Sequence, residues 1–231
     1  MTMIANEFAD PIELHSTLNP KLWDSEHLNP DVKKALMRIA EDFKQYIGIP
    51  FRVVDVQVAG GNANYTYTDF SDLDLHLVAD FTSVRCDREA AELFDSKRLL
   101  YKEQYDVNVN GVPVELYIED MDHPAVSSSY SIIHNKWIRT PKKEVAEIDR
   151  EELARMTSIW HTVIQHAVKT ADRQNLSSVL KLLRKYRKLG LVRSGEFGVP
   201  NLVYKSLRND DTIKGLTKLL DRLHSQELSI G

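Results

Sequence analysis

Cysteine is nearly absent from this 231-residue chain, in which Cys86 is the single example. One cysteine excludes an internal disulfide and a thiolate zinc cluster. No apolar run approaches the roughly 20 residues that a membrane-spanning helix needs. The first ten residues are acidic and lack the apolar core of a signal peptide. We therefore expect a cytoplasmic protein without a membrane partner.

The chain also has no excess of positive charge. The chain has 30 Lys and Arg residues against 34 Asp and Glu, which gives a net charge of -4. This balance excludes a basic nucleic-acid coat protein, although a local basic patch is compatible with it. Hydrophobic residues make up 42% of the chain and charged residues 28%, as in ordinary globular proteins. The length suits one large domain or two small ones.

The hydrophobic pattern divides the chain into an α+β front half and an all-helical back half. A helix is expected to begin at Asn29, because Asn is a good cap and Pro30 suits the first helical position. Four segments are expected in chain order: an N-terminal arm at 1–28, an α+β domain at 29–125, a connecting loop region at 126–148 and a helical domain at 149–231.

Leucines alternate with polar residues over 72–78, which predicts a strand with one apolar and one polar face. Asp72 and Asp74 then leave the same face. Two carboxylates this close repel each other, and a divalent cation removes the repulsion. Oxygen ligands favour a hard ion such as Mg²⁺, with Mn²⁺ as the alternative.

A later strand supplies a third acid. Asn110-Gly111 predicts a tight hairpin turn, and Glu115 in the following strand is out of phase with the apolar residues around it. If this strand neighbours that of Asp74, Glu115 becomes a metal ligand or a proton acceptor at the same site. Two nearby acids are alternatives if the register is shifted: Glu119 and Asp120.

A pair of glycines, Gly60 and Gly61, directly follows the predicted strand at 51–58. Glycine lets the backbone approach a ligand closely, and backbone amides at such a turn can cradle phosphates. Phosphoryl and nucleotidyl transfer need mainly positioning and charge neutralisation, which glycines and metal-binding acids would supply together.

Gly60-Gly61 followed by Ser71-Asp72-Leu73-Asp74 resembles the Gly-Ser…Ser-Asp-x-Asp signature of the DNA polymerase β-like nucleotidyltransferase superfamily. The overall pattern is similar to uncharacterised nucleotidyltransferases of bacteriophages and bacteria. The resemblance covers residues 51–120 well. It implies an α+β nucleotidyltransferase fold, with a mixed sheet flanked by helices, followed by an all-helical C-terminal domain. It also implies that Mg²⁺ is bound by Asp72, Asp74 and Glu115, and that Gly60 and Gly61 hold the triphosphate.

The sequence departs from the family pattern at three positions. Gly61 stands where Ser is usual, Tyr65 where a second glycine is common, and Glu115 where Asp is commoner. Tyr65 could stack on a nucleobase or pack locally, and Lys136, in a loop after the serine cluster, could bind phosphate or be solvated. The expected nucleotide-binding residues are Gly60, Gly61, Asn62, Tyr65, Ser71 and Lys136.

These features predict a Mg²⁺-dependent nucleotidyltransferase that moves NMP from an NTP, with ATP the expected one, to a hydroxyl acceptor and releases pyrophosphate. The acceptor is open among RNA, protein and a small molecule. The alternative hypothesis is a non-catalytic nucleotide- or RNA-binding module derived from the same fold, which the departures at Gly61 and Tyr65 motivate.

Overall fold

The computed structural model describes residues 15–83, 87–122, 127–143 and 147–229. The described residues form two compact units, one at 15–143 and one at 147–229. Among these residues, no helix combines the length and apolar character needed to cross a membrane.

The first unit contains two helices, eight strands and two short 3₁₀ turns, Gly61–Ala63 and Phe81–Ser83. The helices are α1 (Pro30–Ile47) and α2 (Asp87–Gln104). The strands are β1 (Trp23–Asp24), β2 (His27–Leu28), β3 (Arg52–Ala59), β4 (Leu73–Asp80), β5 (Asn108–Val109), β6 (Val112–Asp120), β7 (Ser129–Ser131) and β8 (Lys136–Arg139).

Six of the strands form one mixed sheet in the order β5-β6-β4-β3-β7-β8. Strands β4 and β6 are parallel, and every other neighbouring pair in this sheet is antiparallel. Parallel neighbours need a crossover connection, and α2 provides it between β4 and β6. The α+β class and the mixed sheet flanked by helices are therefore as the sequence predicts.

Helix α1 has the ends that its sequence predicts. The side chain of Asn29 accepts a hydrogen bond from the N–H of Asp31, Pro30 opens the helix, and Gly48 ends it with a φ of +74°. One face of the helix is buried in the core, where it packs with the leucines of β4. The buried residues of this face are Val32, Leu36, Ala40, Phe43 and Ile47.

Strand β4 separates the core from the polar face of the sheet. Leu73, Leu75 and Leu77 have at most 1% of their surface exposed, whereas Asp74 and His76 are half-buried on the opposite face. The strict alternation in the sequence therefore places the acids of this strand away from the core.

Two expected segment boundaries differ from the structure. Residues 15–28, expected in an N-terminal arm, belong to the core of the first unit through Leu18, Leu22, Trp23 and Leu28. These residues are irregularly spaced, so no helical or strand period marks them; residues 1–14 lie outside the described residues. Residues 127–143, expected in a connecting loop, contain β7 and β8, which extend the sheet beyond β3. Strands of three and four residues are too short for alternation to reveal them.

The second unit contains four helices around a core of its own. The helices are α3 (Arg150–Thr170), α4 (Arg173–Ser194), α5 (Val199–Asn209) and α6 (Thr212–Leu228). Asp149 and Asp172 cap α3 and α4 by accepting hydrogen bonds from backbone N–H groups of the first turn, which explains where these two helices begin.

Candidate active site

The polar end of β4 carries the two acids that the sequence singles out. Asp72 directly precedes the strand, and Asp74 is its second residue. In the sheet, Asp74 pairs with Ala59 of β3 on one side and with Glu115 of β6 on the other. Paired residues of neighbouring strands point to the same face, so the carboxylates of Asp74 and Glu115 lie side by side.

The glycine turn lies against the Asp74 side chain. Gly60 follows β3 with a φ of +72° and a ψ of -154°, a conformation that is essentially restricted to glycine. A Cβ atom at Gly60 would overlap the Oδ2 atom of Asp74, while a Cβ at Gly61 would lie 3.5 Å from Oγ of Ser71, an ordinary contact. Gly60 is therefore required by geometry, whereas Gly61 leaves room for a small side chain.

Asn62 stabilises this loop through buried hydrogen bonds. Its side chain is fully buried, and its Nδ2 group donates to the carbonyl oxygens of Ser71 at 3.1 Å and Asp72 at 2.9 Å. Its Oδ1 atom accepts from Asn19, and its carbonyl oxygen accepts from the indole of Trp23 at 2.7 Å. The Asn62 side chain thus holds the glycine turn against the segment that carries Asp72, which makes it a positioning group.

Ser71 closes the turn that leads into β4. Its Oγ atom accepts from the N–H of Thr68 at 2.9 Å, and its own N–H donates to the carbonyl of Thr68 at 3.0 Å. The hydroxyl of Ser71 therefore supports the turn next to Gly61. Direct contact of Ser71 with a nucleotide stays a prediction.

Glu115 is held by cations of α2. The Nζ atom of Lys102 lies 2.6 Å from Oε1 of Glu115, and Nη1 of Arg98 lies 3.5 Å from the same oxygen. Burial by itself raises the pKa of the Glu115 carboxyl, but the hydrogen bond and charge of Lys102, the hydroxyl of Tyr117 and the charge of Arg98 outweigh it, and the net pKa is lowered. Glu115 is therefore a stable carboxylate in an ion pair.

A polar strip continues along the same face from Glu115. Oε2 of Glu119 lies 2.9 Å from Nδ1 of His76 and accepts its hydrogen bond in the tautomer that carries the proton there, and the ring of His76 stacks on Tyr117 with 4.9 Å between centroids. Burial first, and then the charges of Asp74 and Glu115, raise the pKa of Tyr117 well above its usual range. The register pairs Glu119 with Val78 rather than with Asp74, so Glu115 is the acid that lies beside Asp74.

Two of the residues predicted to contact the nucleotide, Lys136 and Tyr65, have other neighbours in the structure. Lys136 lies on β8, three strands from β4, and pairs there with Ser131. Tyr65 packs against the core of the first unit, and the Nζ atom of Lys143 lies 4.8 Å from the centre of its ring. The structure therefore does not bring Lys136 next to Asp74, and it gives Tyr65 a local packing role.

Three side chains next to Glu115 had not been predicted from the sequence. Arg98 and Lys102 are one turn apart on α2, and Tyr117 follows Glu115 by two residues on β6. The spacing of the two cations predicts that they share a helix face, and the period of the strand predicts that Tyr117 shares the face of Glu115. The contact of these side chains with Glu115 depends on how α2 packs against β6, and neither sequence pattern predicts that packing.

The donor set fits a hard divalent ion at Asp72 and Asp74. Such an ion commonly takes one or two carboxylates and completes its shell with waters and substrate phosphates. Within residues 15–83, 87–122, 127–143 and 147–229, however, no group of three or more His, Cys, Asp or Glu side chains is arranged to hold a metal ion. In the described residues Glu115 is instead ion-paired with Lys102 and Arg98, and metal binding by Asp72, Asp74 and Glu115 stays a prediction.

Comparison with known proteins gives little further information. No protein-family model matches the chain, and no curated protein matches it. A solved structure of a STING-associated CdnE c-di-GMP synthase from Capnocytophaga granulosa is 11% identical to the chain and covers 87% of this chain and 83% of its own, with a TM-score of 0.22. A TM-score this low does not show a common fold.

Proposed function

We propose that the chain is a metal-dependent nucleotidyltransferase, which transfers NMP from an NTP to a hydroxyl acceptor. The observation that carries the proposal is the contact between the Gly60 turn and the Asp74 carboxylate. The half-buried backbone of Gly60 and Gly61 and the acids Asp72 and Asp74 lie at the same end of two neighbouring strands, β3 and β4. That combination suits a triphosphate whose negative charge is shared with a cation.

The residues of the chain have distinct roles in this proposal. The 3₁₀ turn that starts at Gly61 uses the N–H groups of Ala63 and Asn64 for its own hydrogen bonds. The N–H of Gly61, which is only half-buried, precedes these hydrogen bonds and is the group that we assign to the phosphates. Asp72 and Asp74 would hold Mg²⁺ or Mn²⁺, which when bound supplies neutralisation of the phosphate charge.

The reaction proposed is an in-line displacement. The acceptor hydroxyl oxygen forms a bond to the α-phosphorus of the NTP, the bond between that phosphorus and the oxygen bridging to the β-phosphorus breaks, and pyrophosphate leaves with the electron pair. The acceptor proton passes to solvent or to a carboxylate of the site. ATP is the first triphosphate to test, and the acceptor is an RNA, a protein or a small molecule.

Label transfer distinguishes this activity from related ones. The full chain is incubated with a cell lysate of RNA and protein and with ATP labelled either at the α- or at the γ-phosphate. We expect label to reach an acceptor from the α-position and not from the γ-position, since a kinase would give the reverse. Transfer should be lost in Asp72→Asn and Asp74→Asn and kept in Asp69→Asn, which changes an exposed acid of the preceding turn.

A second candidate function is a nucleotide- or RNA-binding module without catalysis. The observation that favours it is the ion pair of Glu115 with Lys102, which occupies the third acid. Binding of ATP that depends on Asp74, without transfer of label from any of the four NTPs, would support this module. Absence of NTP binding by the wild-type chain would refute the enzyme, and absence of both NTP and RNA binding would refute both functions.

A further inference from the structure

We infer that Glu115 is not a metal ligand, and that the site binds one divalent ion through Asp72 and Asp74 while Lys102 and Arg98 neutralise the third carboxylate. The inference deepens the proposed function and rests on it. Its starting point is the register of β4 and β6, which puts Asp74 and Glu115 side by side. Neighbouring carboxylates repel each other, so the second negative charge needs a partner.

That partner is part of the chain. Lys102 is 2.6 Å from Oε1 of Glu115, Arg98 is 3.5 Å from the same atom, and Tyr117 provides a hydrogen bond to the carboxylate. The Glu115 side chain is 18% exposed, so its surroundings are mostly protein. Hydrogen bonds from Lys102 and Tyr117, together with the charge of Arg98, therefore already engage this carboxylate, which disfavours it as a metal ligand.

Arg98 is itself held in place. Arg98 donates through Nε and Nη2 to Oδ1 of Asp95 at 2.9 and 2.8 Å, and its guanidinium lies 5.0 Å from the ring centre of Tyr117. The Arg98 side chain is 17% exposed, so turning it away would break its contacts with both Asp95 and Glu115. An ion between Asp74 and Glu115 would also face the positive charge of Lys102, which disfavours it.

A charge-balanced pair of changes tests the inference. The double variant Glu115→Gln/Lys102→Met removes one negative and one positive charge, so the net charge near Asp74 is unchanged. The probe is Mn²⁺ alone, titrated into the full-length protein and counted by electron paramagnetic resonance of the free ion. We expect the wild-type chain to bind one ion and the double variant to bind it with a dissociation constant within about threefold, since the balance of nearby charge is kept.

Three further variants complete the experiment. Asp74→Asn should weaken Mn²⁺ binding by at least about tenfold, as expected when a ligand is lost. Lys102→Met alone should tighten it by about three- to fivefold, because one positive charge near the site is then removed while the charge of Glu115 stays. Lys97→Met, on the same helix, should leave it unchanged. Thermal unfolding checks that each variant is folded. If the double variant does not fold, the Mn²⁺ affinity of Lys102→Met tests the inference.

The outcomes separate this inference from the proposed function. Loss of Mn²⁺ affinity in the double variant equal to that of Asp74→Asn, two ions of similar affinity in the wild type, or no change in Lys102→Met would overturn the inference and leave the proposed function standing. A wild-type chain that binds no Mn²⁺ would overturn both.

Discussion

The close contact between Gly60 and Asp74 gives the sharpest prediction about this molecule. Replacing Gly60 by Ala adds one methyl group where the chain has a φ of +72° and where the Oδ2 atom of Asp74 already lies. Replacing Gly61 by Ala adds the same group one residue later, 3.5 Å from Oγ of Ser71. The two variants are identical in composition and differ in what the methyl group meets.

The expected effects differ in size. The backbone conformation of Gly60 costs a residue with a Cβ about 1–3 kcal/mol, and relieving the overlap with Asp74 costs about 1–3 kcal/mol more. The sum, about 2–6 kcal/mol, lowers the unfolding temperature by about 5–20 °C for a protein of this length. Gly61→Ala should change the free energy of unfolding by less than about 1 kcal/mol.

Calorimetry measures the stability of both variants, and titration with ATP and Mg²⁺ measures the consequence for the site. We expect Gly60→Ala to bind ATP more weakly even below its unfolding temperature, because Asp74 has to move. The variants Gly61→Ala and Gly61→Ser should keep at least about three-quarters of the wild-type affinity for ATP. This is a difference of about 0.2 kcal/mol or less in the free energy of binding. Equal stability of the Gly60 and Gly61 variants would refute the close contact.

Three further predictions concern other parts of the chain. Asn62→Ala leaves buried polar groups unpaired and should lower the free energy of unfolding in urea by about 2–5 kcal/mol. The folded pKa of Glu115 lies below its ordinary value of 4.5, so the stability it contributes is complete above pH 4.5 and is lost as the pH falls below it; Glu115→Gln should flatten that acid limb in pH-dependent unfolding. In the helical unit, a Cβ at Gly190 would overlap Pro200 and one at Gly215 would meet open space. Gly190→Ala should therefore destabilise by about 1–3 kcal/mol and Gly215→Ala stabilise by about 0.5–1 kcal/mol in thermal unfolding, and the opposite order would contradict this packing.

Local patterns account for the elements that the sequence predicts well. The cap at Asn29 and the stop at Gly48 describe α1 because they depend on hydrogen bonds within a few residues. The turn at Asn110-Gly111 has positive φ at both residues, as its composition predicts. The segment at 15–28 and the strands β7 and β8 were not predicted, because they are stabilised by contacts with residues far away in the chain.

The candidate site, too, was predicted only in part from the sequence. The sequence by itself predicts that Asp72 and Asp74 leave one face, from the period of a strand, and Asp74 does lie on the polar face of β4. Only the tertiary structure decided that Glu115 lies beside Asp74 and that Lys102 and Arg98 bind Glu115. The reason is physical: strand register and helix placement follow from packing of the whole unit, and the charge around a carboxylate depends on side chains that packing brings within a few ångströms.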